Sequence, residues 1–252
     1  LVAVAKCGHD DLTRALVERE GLHLHLLARA RPGDPLVVPH PLGRVELGGL
    51  RLVVQEALPG TDLPRPPSPA MRTRAEEALV AAWSPTRAGR AFLADLEERW
   101  VTASEELGSP SLKTLAAQAL ARVREARHQG WIDDVLTGPS HGDWAPQNLA
   151  SAAGGRVLAW DWERFDVRRP LGYDALHFRF RQLLGTSTQP GVKVLTQAQE
   201  LVGRWQGSSG HHRGVAALVL LDLAVRYVAD RQGEVGGAGG DLGWLPGALH
   251  RW

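Results

Sequence analysis

His141-Gly142-Asp143-Trp144-Ala145-Pro146-Gln147-Asn148, followed by Val157-Leu158-Ala159-Trp160-Asp161, is the stretch that decides how this 252-residue chain reads. Asp143 and Asn148 stand five positions apart in a segment too rich in Gly, Pro and Asn to be a helix, which predicts a loop held rigid by its neighbours. Leu149 and Ala150, then Gly154-Gly155, then the apolar run ending at Asp161 predict two short strands around a turn. Folding the chain back at that turn brings Asp161 close to Asn148. One carboxylate then stands at the start of the loop, with an amide oxygen and a second carboxylate side by side at its end. Hard oxygen ligands of this kind suit a magnesium ion that also holds substrate phosphates, with Asn148 and Asp161 as the ligands. Asp143 is left to take a proton from an attacking hydroxyl.

His-x-Asp-x-x-x-x-Asn followed by a strand ending in Asp resembles the catalytic loop and metal site of the kinase fold. His-Gly-Asp, with Asp161-Trp162-Glu163 where protein kinases have Asp-Phe-Gly, is similar to the aminoglycoside phosphotransferase and choline kinase family. The resemblance implies an α+β, two-lobed, protein-kinase-like fold: a small, partial β-sheet lobe with one helix, and a larger, mostly helical lobe. It implies transfer of the γ-phosphoryl group of ATP or GTP to a hydroxyl of a small molecule, with magnesium. Asp143 would be the base. Glu163 would either join the metal shell or lie on the surface, and His141 would support the loop.

Upstream, Leu1 to Lys6 reads as a strand ending in a lysine, and Asp10 or Asp11 can cap the helix that follows. By resemblance, Lys6 contacts the α- and β-phosphates of the nucleotide; a solvated lysine at a strand end is the plain alternative. Leu16, Glu20, Leu24 and Leu27 fall on one helical face. A carboxylate on an apolar stripe needs a partner, because burying it alone is costly, and Lys6 is the natural one. Glu18 lies on the polar face. Gly21 in mid-helix costs about 1 kcal/mol.

Val45 to Leu47 and Leu50 to Gln55 read as a hairpin around Gly48-Gly49. The second strand runs into Glu56-Ala57-Leu58-Pro59-Gly60, which resembles the interlobe hinge of the family. There the backbones of Glu56 and Leu58 would meet the adenine edge; a plain strand exit is the alternative. Residues 1–58 are thus expected to form the nucleotide-binding lobe and residues 59–252 the catalytic and substrate lobe. The chain opens on Leu1 inside a strand, which reads as N-terminal truncation. The two strands and phosphate-covering loop that precede the lysine strand in the family fall outside it. Gly236 to Gly240 read as a flexible linker.

Helices are expected over 70–83, 87–107, 111–129, 172–184, 193–205 and 214–231. Asp174, in a segment resembling the one after the family's metal site, is expected to anchor the catalytic loop. Glu97, Glu98 and Arg99 read as a solvated face, and Asp222 with Arg226 as an i,i+4 pair. Trp144 and Trp162 read either as core or as stacking platforms for a ring or a quaternary ammonium.

Composition sets limits. Hydrophobic residues at 44% allow a sizeable core, and a formal net charge of +1 gives no reason to expect nucleic acid or an anionic membrane as partner. Cys7 is the one cysteine, so no internal disulfide and no cysteine-based zinc site can form. With no visible signal peptide and no spanning apolar run, the expected location is cytoplasmic. Nothing in the sequence sets the acceptor or the oligomeric state. Two other classes compete with a kinase: a non-catalytic, kinase-like binding module, and a metallohydrolase built on His141, Asp143 and His211-His212.

Overall fold

The computed structural model describes residues 2–58, 65–107, 109–207, 211–230 and 242–251. Leu1, the hinge exit at Pro59-Gly60 and the Gly236–Gly240 tract lie outside the described residues.

In chain order the elements begin with β1 (Ala3–Lys6), α1 (Asp11–Ala30), β2 (Leu36–Val37), β3 (Pro41–Leu47), β4 (Leu50–Glu56) and α2 (Pro69–Ala81). The middle of the chain forms β5 (Thr86–Arg87), α3 (Gly89–Glu106), α4 (Pro110–Arg127), β6 (Leu136–Ser140), β7 (Leu149–Ala152), β8 (Arg156–Ala159) and β9 (Asp166–Pro170). It ends in α5 (Tyr173–Leu183), α6 (Pro190–Thr196), α7 (Ala198–Gln206), α8 (His212–Ala229) and α9 (Leu245–Arg251). The contacts divide the chain into two compact units, residues 1–85 with 138–167, and residues 86–137 with 168–252.

The first unit holds two small sheets. β1, β4 and β3 form an antiparallel sheet in that order, with Ala3 opposite Glu56 and Lys6 opposite Val53. Gly48 and Gly49, with φ of 58° and 79°, make the β3–β4 turn, a backbone region that only glycine enters freely. α1 starts where Asp10 accepts the Thr13 N–H at 2.7 Å, in a reciprocal capping box. It buries Leu16, Glu20, Gly21, Leu24 and Leu27, the expected stripe. Leu24 and Leu27 are almost wholly buried, and each contributes about 2 kcal/mol. Gly21 does not interrupt the helix. It sits where a Cβ would lie 3.2 and 3.3 Å from the methyls of Val53, so the helix approaches β4 closely because this residue has no side chain.

The second sheet has the order β2-β8-β7. β7 and β8 pair antiparallel from Leu149 opposite Ala159 to Ala152 opposite Arg156, and β2 joins β8 in parallel. Val157, Leu158, Ala159, Leu149 and Ala150 are all buried. Leu58 packs against Ala150 and Leu158.

The second unit is helical. Its core runs from Phe92, Leu96 and Trp100 of α3 through Ala119 and Val123 of α4 to Tyr173 and Phe180 of α5 and nearly every residue of α8. Several expectations need correction here. The helix expected over 193–205 is two helices, broken at Gln197. A further helix, not among those expected, follows residue 231: Leu245, Ala248 and Leu249 of α9 are buried, as are Leu242 and Trp244 just before it. Glu97 is not a solvated residue, since it takes ion pairs from Arg124 and Arg127 at 2.9 Å. Arg99 is not solvated either. It donates to Asp222 at 2.5 Å, and Tyr173 Oη donates to the other Asp222 oxygen at 2.6 Å. Arg226 instead reaches the ring of His177, at 3.3 Å. Among the described residues no helix is long and apolar enough to cross a membrane.

Candidate active site

Lys6, Glu20, Glu56, Leu58, Asp143, Asn148 and Asp161 all lie in the first unit. The segment after β6 leaves the strand at His141 and turns at Gly142, which has a φ of 80°. His141 is fully buried and uses both ring nitrogens. Nδ1 accepts the backbone N–H of Asp143 at 3.2 Å, so the proton sits on Nε2, which donates to the Trp160 carbonyl at 2.9 Å. This ring therefore braces the loop and has no nitrogen left for a metal or for acid–base work.

Asn148 closes the loop. Its side-chain N–H group donates to the Asp143 carbonyl at 2.9 Å and to Asp143 Oδ2 at 2.8 Å. The same contacts turn the oxygen end of the amide away from Asp143. The hairpin register then brings Trp160 opposite Asn148, and the Trp160 N–H donates to the Asn148 carbonyl at 3.2 Å. Asp161 follows directly, in the left-handed region at φ 62° and ψ 57°. A side chain other than glycine holds that conformation only when its surroundings over-determine it.

Those surroundings are visible on both sides. The peptide before Asp161 is fixed by His141 through the Trp160 carbonyl. The peptide after it is fixed by Glu20, whose Oε1 accepts the Trp162 N–H at 3.3 Å. Lys6 Nζ lies 2.8 Å from both oxygens of Glu20 and also bonds the Asp161 carboxylate. Glu20 is the partner of Lys6, while Glu18 is half-exposed and pairs with Arg51. Burial alone would lower the Lys6 ammonium, but the charges of Glu20 and Asp161 override it and hold its pKa above the usual lysine value. Burial pushes the Glu20 carboxyl up; Lys6 opposes that and Asp161 adds to it. Glu163 is also raised by burial, against the charge of Arg164, with Asp161 and Glu20 adding to the rise. It is half-buried beside the cluster and not on an open surface.

Trp144 and Trp162 are fully buried, which removes them as stacking platforms for a ligand. Trp162 lies against His141 at 4.4 Å and Phe165 at 5.8 Å between ring centroids, so it belongs to the core beneath the site. Glu56 ends β4, exposed, with its N–H donating to the His40 carbonyl at 2.8 Å. Leu58 follows with its side chain buried. His23 was not foreseen: one of its ring nitrogens donates to the Trp162 carbonyl at 2.8 Å. Its spacing from Glu20, one helical turn along the same face, was the available signal.

The donor chemistry fits magnesium, with a carboxylate at Asp161 and an amide oxygen at Asn148, both hard ligands. Among the described residues no group of three or more His, Cys, Asp and Glu is arranged to hold a metal ion. A metal here would therefore rely on these two oxygens and on ligands brought by the substrate, and the metallohydrolase reading loses its ligand set.

No protein-family model matches the chain. No curated protein matches it in sequence. Solved structures do resemble it. A thermostable mutant of the aminoglycoside phosphotransferase APH(4)-Ia superposes with a TM-score of 0.61 at 16% identity, covering 92% of this chain and 84% of that one. The choline kinase LicA from Streptococcus pneumoniae gives 0.56 at 12% identity, covering 99% and 86%. The GDP and kanamycin complex of APH(2")-IIia gives 0.55 at 14% identity, covering 99% and 84%. The chain therefore has the α+β, kinase-like fold of the aminoglycoside phosphotransferases and choline kinases.

Proposed function

We propose that the protein is a small-molecule kinase, which transfers the γ-phosphoryl group of ATP or GTP to a hydroxyl of its acceptor. The observation that carries this reading is the joint placement of Lys6, Glu20 and Asp161 in one ion-paired cluster, with Asn148 bridging from the same hairpin to Asp143. Phosphoryl transfer asks for little covalent chemistry from a protein. It asks for positioning and for neutralised charge. Asp143, oriented by Asn148 and by the His141 ring, accepts the proton of the attacking hydroxyl. Lys6 holds nucleotide phosphate oxygens, and Glu20 keeps its ammonium charged and aimed. Asn148 and Asp161 would hold magnesium, which would supply positive charge against the phosphates. The backbones of Glu56 and Leu58 take the adenine edge. In functional terms residues 1–58 form the nucleotide lobe and residues 59–252 the catalytic and acceptor lobe.

Nucleotide complexes among the structural neighbours support the nucleotide part of this reading: one APH(4)-Ia structure holds ADP with hygromycin B, another AMP-PNP with hygromycin B. The test is thermal unfolding with ATP and GTP, with and without magnesium, alongside nucleotide consumption on pooled hydroxyl acceptors. A magnesium-dependent rise in Tm together with acceptor-dependent consumption is expected. The same rise without consumption on any acceptor would support the binding-module alternative, and no rise with either nucleotide would overturn both.

A further inference from the structure

We infer that His23 is a positioning residue that ties helix α1 to the turn following Asp161, an inference that rests on the kinase reading above. Three consecutive peptide groups run through that turn, and each is held from outside it. His141 holds the Trp160 carbonyl, Glu20 the Trp162 N–H, and His23 the Trp162 carbonyl. Two of the three holders, Glu20 and His23, stand one turn apart on α1, so the helix grips both polar groups of one residue. A carbonyl only accepts, so the His23 Nδ1 facing it carries the proton. The ring also meets Phe165 edge-on, with centroids 5.5 Å apart.

The two grips differ in one respect. Glu20 is shared between Trp162 and Lys6, and under the kinase reading Lys6 shifts toward phosphate when nucleotide binds. That shift changes what Glu20 can offer the turn. His23 bonds a different atom of Trp162, its carbonyl oxygen, at 2.8 Å. It keeps α1 in register with Asp161 while the lysine moves. Asp161 needs such support, because its left-handed backbone is not self-sustaining.

Two substitutions separate the hydrogen bond from the packing. His23→Phe keeps a ring against Phe165 and removes the donor; His23→Asn keeps an N–H near the Nδ1 position and removes the ring. Amide hydrogen exchange over residues 160–165 of the whole chain, which includes the Phe165 N–H bonded to the same carbonyl at 3.1 Å, reads how firmly the turn is held. Affinity for Mn2+ with a non-hydrolysable nucleotide, followed by electron paramagnetic resonance, reads its consequence. With His23→Phe, exchange is expected to quicken about 3- to 10-fold and the Mn2+ affinity to fall by a similar factor, the size of one hydrogen bond. His23→Asn is expected to stay within about twofold of wild type in both. Unchanged exchange in His23→Phe, or equal losses in the two variants, would overturn the inference. A wild-type protein that binds no Mn2+–nucleotide would overturn the kinase reading instead, with the exchange arm still deciding whether His23 secures the turn.

Discussion

Asp143 receives the Asn148 amide on its own carboxylate and rests its backbone N–H on His141, so its orientation is set before any acceptor arrives. Replacing it with Asn keeps the size and the loop but removes the proton acceptor. Asp143→Asn is therefore expected to bind magnesium–nucleotide within about threefold of wild type while phosphate transfer falls by roughly 10²- to 10⁴-fold. Calorimetric nucleotide binding and acceptor-dependent turnover check the two halves, and retained turnover would remove Asp143 from its role. Most of this cluster was legible at residue level. The five-residue spacing to Asn148 and the hairpin after it dictate which groups meet, because strand register leaves little choice once the turn is placed. Glu20 was legible for a similar reason, as a carboxylate on an apolar stripe has to find a cation. His23 was not, because its one-turn spacing from Glu20 marks a shared face but says nothing of a backbone carbonyl 139 positions away.

α1 carries Glu20 and His23, and its seat on the sheet depends on Gly21. In an open helix Gly→Ala gains about 1 kcal/mol. Here the added methyl would meet both Val53 methyls at 3.2 and 3.3 Å, tighter than ordinary packing. Gly21→Ala is expected to destabilise by about 1 kcal/mol net, measured by urea unfolding. In a Val53→Ala background the same change should become neutral or stabilising, a coupling of about 1 kcal/mol or more. Additive effects would mean that the helix does not depend on this close approach. Long elements such as α1, α3, α4 and α8 were readable because their apolar residues recur over several turns, although only α1 of the four carries a side-chain cap. The two-residue strands β2 and β5 were not, since two residues carry no period and are fixed by partners distant in sequence. α9 was hidden for another reason: its seven residues are too few to show a helical period.

At the scale of the molecule, acid tolerance is expected to rest heavily on Asp222 in the second unit. Burial would push this carboxyl up, but the charges of Arg99 and Arg169, with hydrogen bonds from Tyr173 and Arg99, hold it at about 2 against an ordinary 3.8. A depressed carboxyl contributes stability that is complete above its unfolded pKa and is lost as pH falls through the folded one. That contribution is about 2 kcal/mol, disappearing between roughly pH 4 and pH 2. Asp222→Asn is expected to cost about 3 kcal/mol at neutral pH, because it removes the buried carboxylate that Arg99, Arg169 and Tyr173 share. It should also flatten the stability curve on the acid side, as followed by urea titrations from pH 7 to pH 2. An unchanged slope would locate the acid sensitivity elsewhere. The sequence pointed to Arg226 as the partner of Asp222. Arg99, 123 positions away, takes that place because helix packing, unlike helix spacing, is a long-range outcome. A last consequence follows from β5 and β6. Thr86 and Thr137 are paired across those strands, with their hydroxyls 3.2 Å apart, so the chain between them departs and returns through one narrow gate. A helical hairpin exchanged for that span, which contains α3 and α4, would enter at one point, but it would also have to restore the core contacts of Leu96 and Trp100 and the Arg99 partner of Asp222.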